Sequence, residues 1–440
     1  MAHITAKRAL REDEENARPA IEAELRTMLD KKVFSPVLQS TLSSEQKRRI
    51  IRSQLNISQK YLPSSDGQGR TKDRLKARLV GGGDGQDRSI YTESETSSPT
   101  VSTTSVLLIA QIAAMERRNV ATIDIGSAYL NAMMPTEDKE KIVNMKLSPE
   151  VSEILIQMEA TYKEFACKDG SIIVQLDRAL YGCLQSALLW FKELSKFLSS
   201  IGFAPNPYDP CVMNAGSDDQ QITIGIYVDD IIITCKSESR VTNTIQLLEK
   251  EYKKLKITRG LMHHYLGMVM DFSAQGVVTI DQTGMLEDIT SGSEISKFLM
   301  KYSASMRLNT PATEMLFNIS ENSPELDMME KQLFHSTTAK LLFTANRARP
   351  DLVTLVSFLT KRVLHPTVED AKKLARGVAY IRNTLHIKLQ LACIGYPHLQ
   401  VYIDASFAIH SDKKSHTGVM TTLGRGAMYT TPLPRVNPNW

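Results

Sequence analysis

The sequence predicts an α+β protein, and three observations carry that prediction. Two apolar, β-branched runs, residues 222–228 and 231–234, flank Asp229-Asp230 and read as strands buried on both faces. Arg70, Lys72, Arg74, Lys76 and Arg78 fall on every second residue, the period that puts side chains on one face of a strand. Leu184, Leu188, Phe191, Leu194 and Leu198 recur at helical spacing, as do Leu374, Val378, Ile381 and Leu385.

At 440 residues the chain has room for two or three domains. Its 42% hydrophobic and 23% charged residues are the balance of a folded, soluble protein. The net charge of +4 is too small to argue for a polyanionic partner, so such an argument must rest on local clusters. Five scattered cysteines form no Cys-x-x-Cys pair, which speaks against zinc and suits a reducing compartment. The acidic and basic N-terminus is no signal peptide, and no apolar run approaches the roughly 18 residues of a membrane span.

Taken in order, residues 1–60 read as helical and highly charged, with Ile21, Leu25, Met28 and Leu29 at helical spacing. The basic ladder follows a Ser/Gly-rich loop. A one-sided row of cations invites a polyanion, whereas a solvated strand mixes signs. Gly81-Gly82-Gly83 comes next without the Gly-Lys-Ser/Thr of a phosphate-binding loop. An apolar helix is expected over 102–115. The strand after it ends in Asp124, with Tyr129 five residues on. Such a strand-end carboxylate is either a ligand holder or a helix cap. Residues 132–170 carry mixed helix and loop and no legible chemistry. A strand near 174–177 leads through a glycine turn at Gly182 into the helix of Leu184–Leu198.

The acidic hairpin is the centre of this pattern. Two-residue turns favour Asn-Gly or Asp-Gly, so Asp229-Asp230 at the tip is a poor turn and a costly pair of like charges. Hard divalent cations would offset that repulsion. A charged helix is expected near 237–255, followed by His263-His264-Tyr-Leu-Gly267. Adjacent histidines on a strand cannot both face one metal, which rejects zinc there. Residues 281–340 are the least legible. The helix 369–385 exposes Lys372, Lys373, Arg376 and Arg382, a face that is either solvated or follows a duplex backbone. A strand ending in Asp404 precedes a tail containing Pro432, Pro434 and Pro438.

Tyr227-Val-Asp-Asp230, Leu75–Val80 with Gln86, the Leu180-Tyr-Gly…Gln-Ser186 segment, Asp124 with Tyr129, and Tyr265-Leu-Gly267 occur together in one order. In that order they resemble the reverse transcriptases of Ty1/copia-type retrotransposons, over most of residues 10–425. The resemblance implies a right-hand polymerase followed by an incomplete ribonuclease H-like segment. Its segments would be an N-terminal extension (1–14), fingers (15–100), palm (101–280), thumb or connection (281–395) and truncated ribonuclease H (396–440). It implies RNA-directed DNA polymerisation by two-metal nucleotidyl transfer, with two Mg²⁺ ions for which Mn²⁺ substitutes. Asp124 and Asp229 would bridge the metals, with Asp230 as supporting charge. Lys76 and Arg78 would face the triphosphate, Tyr129 the sugar, Gln185 the nascent base pair, and Leu266 and Gly267 the primer end. Asp404 would be a vestigial ribonuclease H ligand. Ala187-Leu188 stands where that family has proline and a basic residue, so a contact from that basic group is missing.

Expected partners are an RNA template, a DNA primer, deoxynucleoside triphosphates and other Pol polyprotein segments, with no membrane. The expected location is the cytoplasm, a virus-like particle or the nucleus. Two other functions fit parts of the pattern. One is an inactive, domesticated remnant that binds nucleic acid; the other is a metal-dependent phosphohydrolase. The phosphohydrolase gives no reason for the basic ladder. After Gly418 the sequence has no acidic residue, so ribonuclease H activity is expected to be absent.

Overall fold

The computed structural model describes residues 4–63, 70–302, 308–320, 322–395, 397–406 and 415–435. It divides into two compact units, 1–100 with 125–204 and 101–124 with 205–440. Residues 15–100 thus lie in the first unit, 101–280 are shared, and the described residues beyond 280 lie in the second.

The first unit is built on an antiparallel pair, Ile51–Pro63 with Arg70–Gly81. Residues 1–60 are therefore not helical throughout. Helices cover Ala6–Glu12, Glu14–Asp30 and Ser44–Arg48, and then a strand begins. Its cue is period two: Ile51, Leu55 and Ile57 are buried while Arg52 and Gln54 are exposed. Ile21, Leu25 and Met28 form the buried stripe of the long N-terminal helix. The Glu24 carboxylate on that helix accepts from the Leu79 amide at 2.9 Å. Strands Asn144–Leu147, Ile172–Leu176 and Phe34–Pro36 extend the sheet.

In the second unit the acidic hairpin is central. Strand Asp230–Cys235 lies between Ile222–Tyr227 and Asn119–Ile125, both antiparallel to it. Ile231, Ile232, Ile233 and Cys235 are fully buried, as their unbroken apolar run requires. Helix Thr103–Met115 is capped by Ser102, whose hydroxyl accepts from the Ser105 amide at 3.0 Å.

A second antiparallel sheet starts with the hairpin Met262–Tyr265 and Met268–Asp271. Beyond it, Phe298, Phe334, Leu341, Leu355, Leu374 and Val378 share a helical core. The helix expected over 369–385 spans Val368–Asn383. Its four cations have intramolecular partners. Lys372 pairs with Glu369, and Lys373 donates to the Asn318 carbonyl. Arg376 donates to the Thr310 hydroxyl, and Arg382 to the Thr290 carbonyl. Lys372 and Arg382 on that face remain exposed.

Strands Gln400–Ser406, Ser415–Thr422 and Tyr429–Arg435 make a separate three-stranded sheet. The five cysteines are free thiols. Among the described residues, no helix is long and apolar enough to cross a membrane.

Candidate active site

The acidic hairpin departs from expectation in its turn. Tyr227 pairs with Asp230, so the two turn residues are Val228 and Asp229, and Asp230 opens the return strand. Val228 has φ of +57°, a left-handed conformation that a β-branched residue adopts only against steric resistance. Antiparallel register explains the position of the third carboxylate. Asp230 faces Asp124 as its direct Cα partner on the neighbouring strand. Asp124 is exposed and the two hairpin aspartates are half-buried. Burial pushes the Asp230 carboxyl up to about 6, with further contributions from the charges of Asp229 and Asp124.

That crowding is the test of fit for a divalent cation. Among the described residues, no three Asp, Glu, His or Cys side chains form a ready-made metal cage. Mg²⁺ asks for less, since it binds through one or two carboxylates and completes its shell with water and substrate phosphate. The charges of Asp229 and Asp124 that act on Asp230 are what a divalent cation bound there would offset.

The expected primer segment packs against this hairpin. Leu266 and Gly267 are the two turn residues between Tyr265 and Met268, with φ of +48° and +75°. Two positive φ values in a two-residue loop match the right-handed twist of its strands. Tyr265, buried beside that turn, brings its hydroxyl to the carbonyl oxygens of Gly225 at 3.3 Å and Asp230 at 3.4 Å. Sequence reasoning included Tyr265 in the motif but gave a role only to Leu266 and Gly267. On the same strand His263 is buried and His264 exposed, as opposite faces require.

The first unit holds the expected nucleotide residues. Lys76 and Arg78 are exposed, alternating with buried Ala77 and Leu79. The side chains of Arg70, Lys72 and Arg74 lie outside the described residues. Tyr129, half-buried, stands on the short 3-10 turn Ala128–Asn131. Its ring centroid is 4.5 Å from that of Tyr181, and the Arg78 guanidinium carbon stands 4.5 Å from the Tyr181 centroid.

Gln185 is buried, and its side-chain oxygen accepts from Gln86 Nε2 at 3.1 Å. Gln86 also donates to the Tyr91 hydroxyl at 3.2 Å and accepts from the Leu184 amide at 2.8 Å. Gln185 thus braces the turn before helix Ser186–Ser200. The triglycine has a structural use. A Cβ on Gly83 would stand 2.0 Å from the Gly182 carbonyl oxygen, and one on Gly182 would stand 2.2 Å from that of Gly81. Only bare backbones can approach this closely. The Gly81 amide donates to the Tyr181 carbonyl at 2.7 Å across the same contact.

The second unit thus sets acidic residues across paired strands, and the first unit carries a cation–aromatic group of its own. Family comparison supplies the class. Residues 52–305, more than half of the chain, match the family described as "Reverse transcriptase (RNA-dependent DNA polymerase)", and the chain belongs to that family.

Among curated proteins it is similar to a transposon Ty5-1 protein of Saccharomyces cerevisiae. The two are 27% identical over 263 residues, covering 60% of this chain and 82% of that one. It is also similar to the retrovirus-related Pol polyprotein from transposon TNT 1-94 of Nicotiana tabacum. That match is 27% identical over 364 residues, covering 81% of this chain but 25% of the polyprotein. The chain thus spans about a quarter of that Pol polyprotein's length. Among solved structures, a foamy viral protease–reverse transcriptase in complex with double-stranded DNA matches with a TM-score of 0.44 and 14% identity. That match covers 96% of this chain and 56% of the other.

Proposed function

We propose that this chain extends a DNA primer on an RNA template, as the polymerase portion of a Ty1/copia-type Pol polyprotein laid out as a right hand. The observation that carries this reading is Asp124 set in register with Asp230, beside Asp229 in the turn. Asp124 and Asp229 would hold two Mg²⁺ ions, or Mn²⁺ in their place, with Asp230 as supporting charge. When bound, such ions stabilise charge on the attacking and leaving oxygens of an in-line displacement.

The chain's own residues do the positioning. Lys76 and Arg78 neutralise the triphosphate of the incoming deoxynucleotide. The Tyr129 ring lies under the sugar and excludes a 2′-hydroxyl. Leu266 and Gly267 hold the primer end, on a turn that Tyr265 fixes to the acidic hairpin. Gln185 acts indirectly, by bracing the turn beneath the base pair. The phosphohydrolase alternative leaves the exposed Lys76 and Arg78 and the stacked tyrosines without a purpose.

Primer extension on an RNA template, with Mg²⁺ or Mn²⁺ and with an Asp229→Asn control, tests the assignment. Metal-dependent incorporation that the control lacks is the expected result. Binding of primer–template without incorporation would instead favour the inactive remnant.

A further inference from the structure

Tyr181 joins two groups to which the proposed function gives separate tasks. Its ring seats the Arg78 guanidinium, 4.5 Å from centroid to Cζ. The same ring lies against Tyr129 at an interplanar angle of 41°. All three residues belong to the first unit. The backbone on either side of the ring is fixed. Its carbonyl accepts from the Gly81 amide, and the next residue, Gly182, packs on Gly81 with no room for a side chain.

A guanidinium over an aromatic face gains attraction from the ring quadrupole. Its N–H donors lie at the edge of its plane, where they remain available to phosphate oxygens. The ring therefore limits where Arg78 can offer its donors. On its other contact it limits where the Tyr129 ring can sit. A shift in one is passed to the other, because both rest on Tyr181.

We propose that Tyr181 is a positioning residue that couples triphosphate binding to sugar choice, holding Arg78 and the Tyr129 ring as one unit against a deoxynucleoside triphosphate. The inference rests on the polymerase reading above. It separates two kinetic quantities. Loss of the ring weakens nucleotide binding and sugar discrimination together. Turnover at saturating nucleotide, which depends on the carboxylates, is largely retained.

The test uses the whole 440-residue chain with dTTP and UTP on a primed RNA template. It compares the wild type with Tyr181→Phe and Tyr181→Leu. Tyr181→Leu should raise KM for dTTP roughly tenfold, the size of one cation–aromatic contact, and narrow the preference for dTTP over UTP. Its kcat should stay within about threefold. Tyr181→Phe, which keeps the ring, should match the wild type in KM and in preference. Arg78→Ala in the Tyr181→Leu background should add little further loss in KM.

Equal losses in the Phe and Leu variants would overturn the proposal. So would a Leu variant that loses kcat or melting temperature with KM and sugar preference unchanged. The rise in melting temperature that dTTP gives the primer–template complex is read in parallel. If the wild type fails to extend primers, a rise that is lost in the Leu variant but kept in the Phe variant supports Tyr181 and refutes polymerase activity. No rise in the wild type overturns both.

Discussion

Asp124 and Asp230 stand directly opposite each other across an antiparallel pair of strands, one near the end of Asn119–Ile125 and the other opening Asp230–Cys235. Their spacing in sequence hides this, since more than a hundred residues separate them. Burial raises the Asp230 carboxyl most, and the charges of Asp229 and of its strand partner Asp124 add to it. Asp124→Asn or Asp229→Asn should lower extension by more than about a hundredfold, as loss of a group that stabilises transition-state charge does. The metal-free fold should not suffer. Each substitution removes a charge that disfavours the ionised Asp230, so the metal-free melting temperature should rise at neutral pH. Retention of most activity in either variant would remove the metal-ligand assignment.

Two groups set opposite pH dependences of stability. Asp230 has its carboxyl raised to about 6, so between the ordinary carboxylate range and that value the folded state binds more protons than the unfolded. Its stabilising contribution is full at low pH and is lost as pH rises through about 6. His263 runs the other way. Burial lowers its pKa, opposed in part by the hydrogen bond of Nε2 with the Gly260 carbonyl. Its neutral ring sits between that carbonyl and the Thr122 hydroxyl, with Phe272 against it. The stability it supplies is present above the unfolded pKa and is lost as pH falls below it. His263→Gln should flatten the melting profile below the ordinary histidine pKa of about 6.5, whereas Asp124→Asn, which removes the smallest of the three causes acting on Asp230, should flatten it only slightly on that side. A His263→Gln profile parallel to the wild type would show that this ring does not titrate with folding.

The contact of Gly81 and Gly83 with Gly182 makes a sharp packing prediction. Gly182→Ala places a methyl 2.2 Å from a backbone oxygen at a φ of +91°, so both sterics and conformation oppose it. It should cost at least about 3 kcal/mol in denaturant unfolding, the upper range for overpacking. Gly85→Ala is the control. Nothing lies within 4 Å of its Cβ position, and its stability should stay within about 0.5 kcal/mol of the wild type.

Arg349 is fully buried and binds both oxygens of Asp351, at 3.0 and 2.7 Å. It also donates to the carbonyl and hydroxyl of Thr384. Asp351→Asn leaves the buried guanidinium without a counter-charge and should cost about 3 kcal/mol, the low end for breaking such a pair because Asp351 is partly exposed. Glu12→Gln, in the exposed pair with Arg8, should change stability by less than about 0.5 kcal/mol. Similar costs from both would mean that burial of Arg349 does not set the energy.

What the sequence made legible was local and periodic. The acidic hairpin showed because two β-branched runs bracket charged residues. The helix Ser186–Ser200 showed because leucines recur along one face. The strand Ile51–Pro63 escaped because its alternation is short and follows charged helices. Turn position escaped as well, because composition argued for Asp229-Asp230 while register with Tyr227 decided for Val228-Asp229. The Gln86–Gln185 bond and the stack on Tyr181 had no periodic signal. They depend on a glycine contact between segments about a hundred residues apart, and only the triglycine hinted at it.

The three-stranded sheet of Gln400–Ser406, Ser415–Thr422 and Tyr429–Arg435 contains a single acidic residue, Asp404. It is exposed and faces Gly418 across the strand pair, so its strand partner offers no second carboxylate. Hydrolysis of the RNA strand of a hybrid by two metals needs several carboxylates to hold the pair in place. Asp404 apart, none of the residues on this sheet's three strands is acidic. The purified 440-residue protein should therefore leave the RNA of a labelled RNA–DNA hybrid intact under conditions where it extends a primer. Asp404→Asn should change neither extension nor the hybrid. Metal-dependent cleavage by the wild type that disappears in Asp404→Asn would show that the remaining ligands are supplied from outside this sheet.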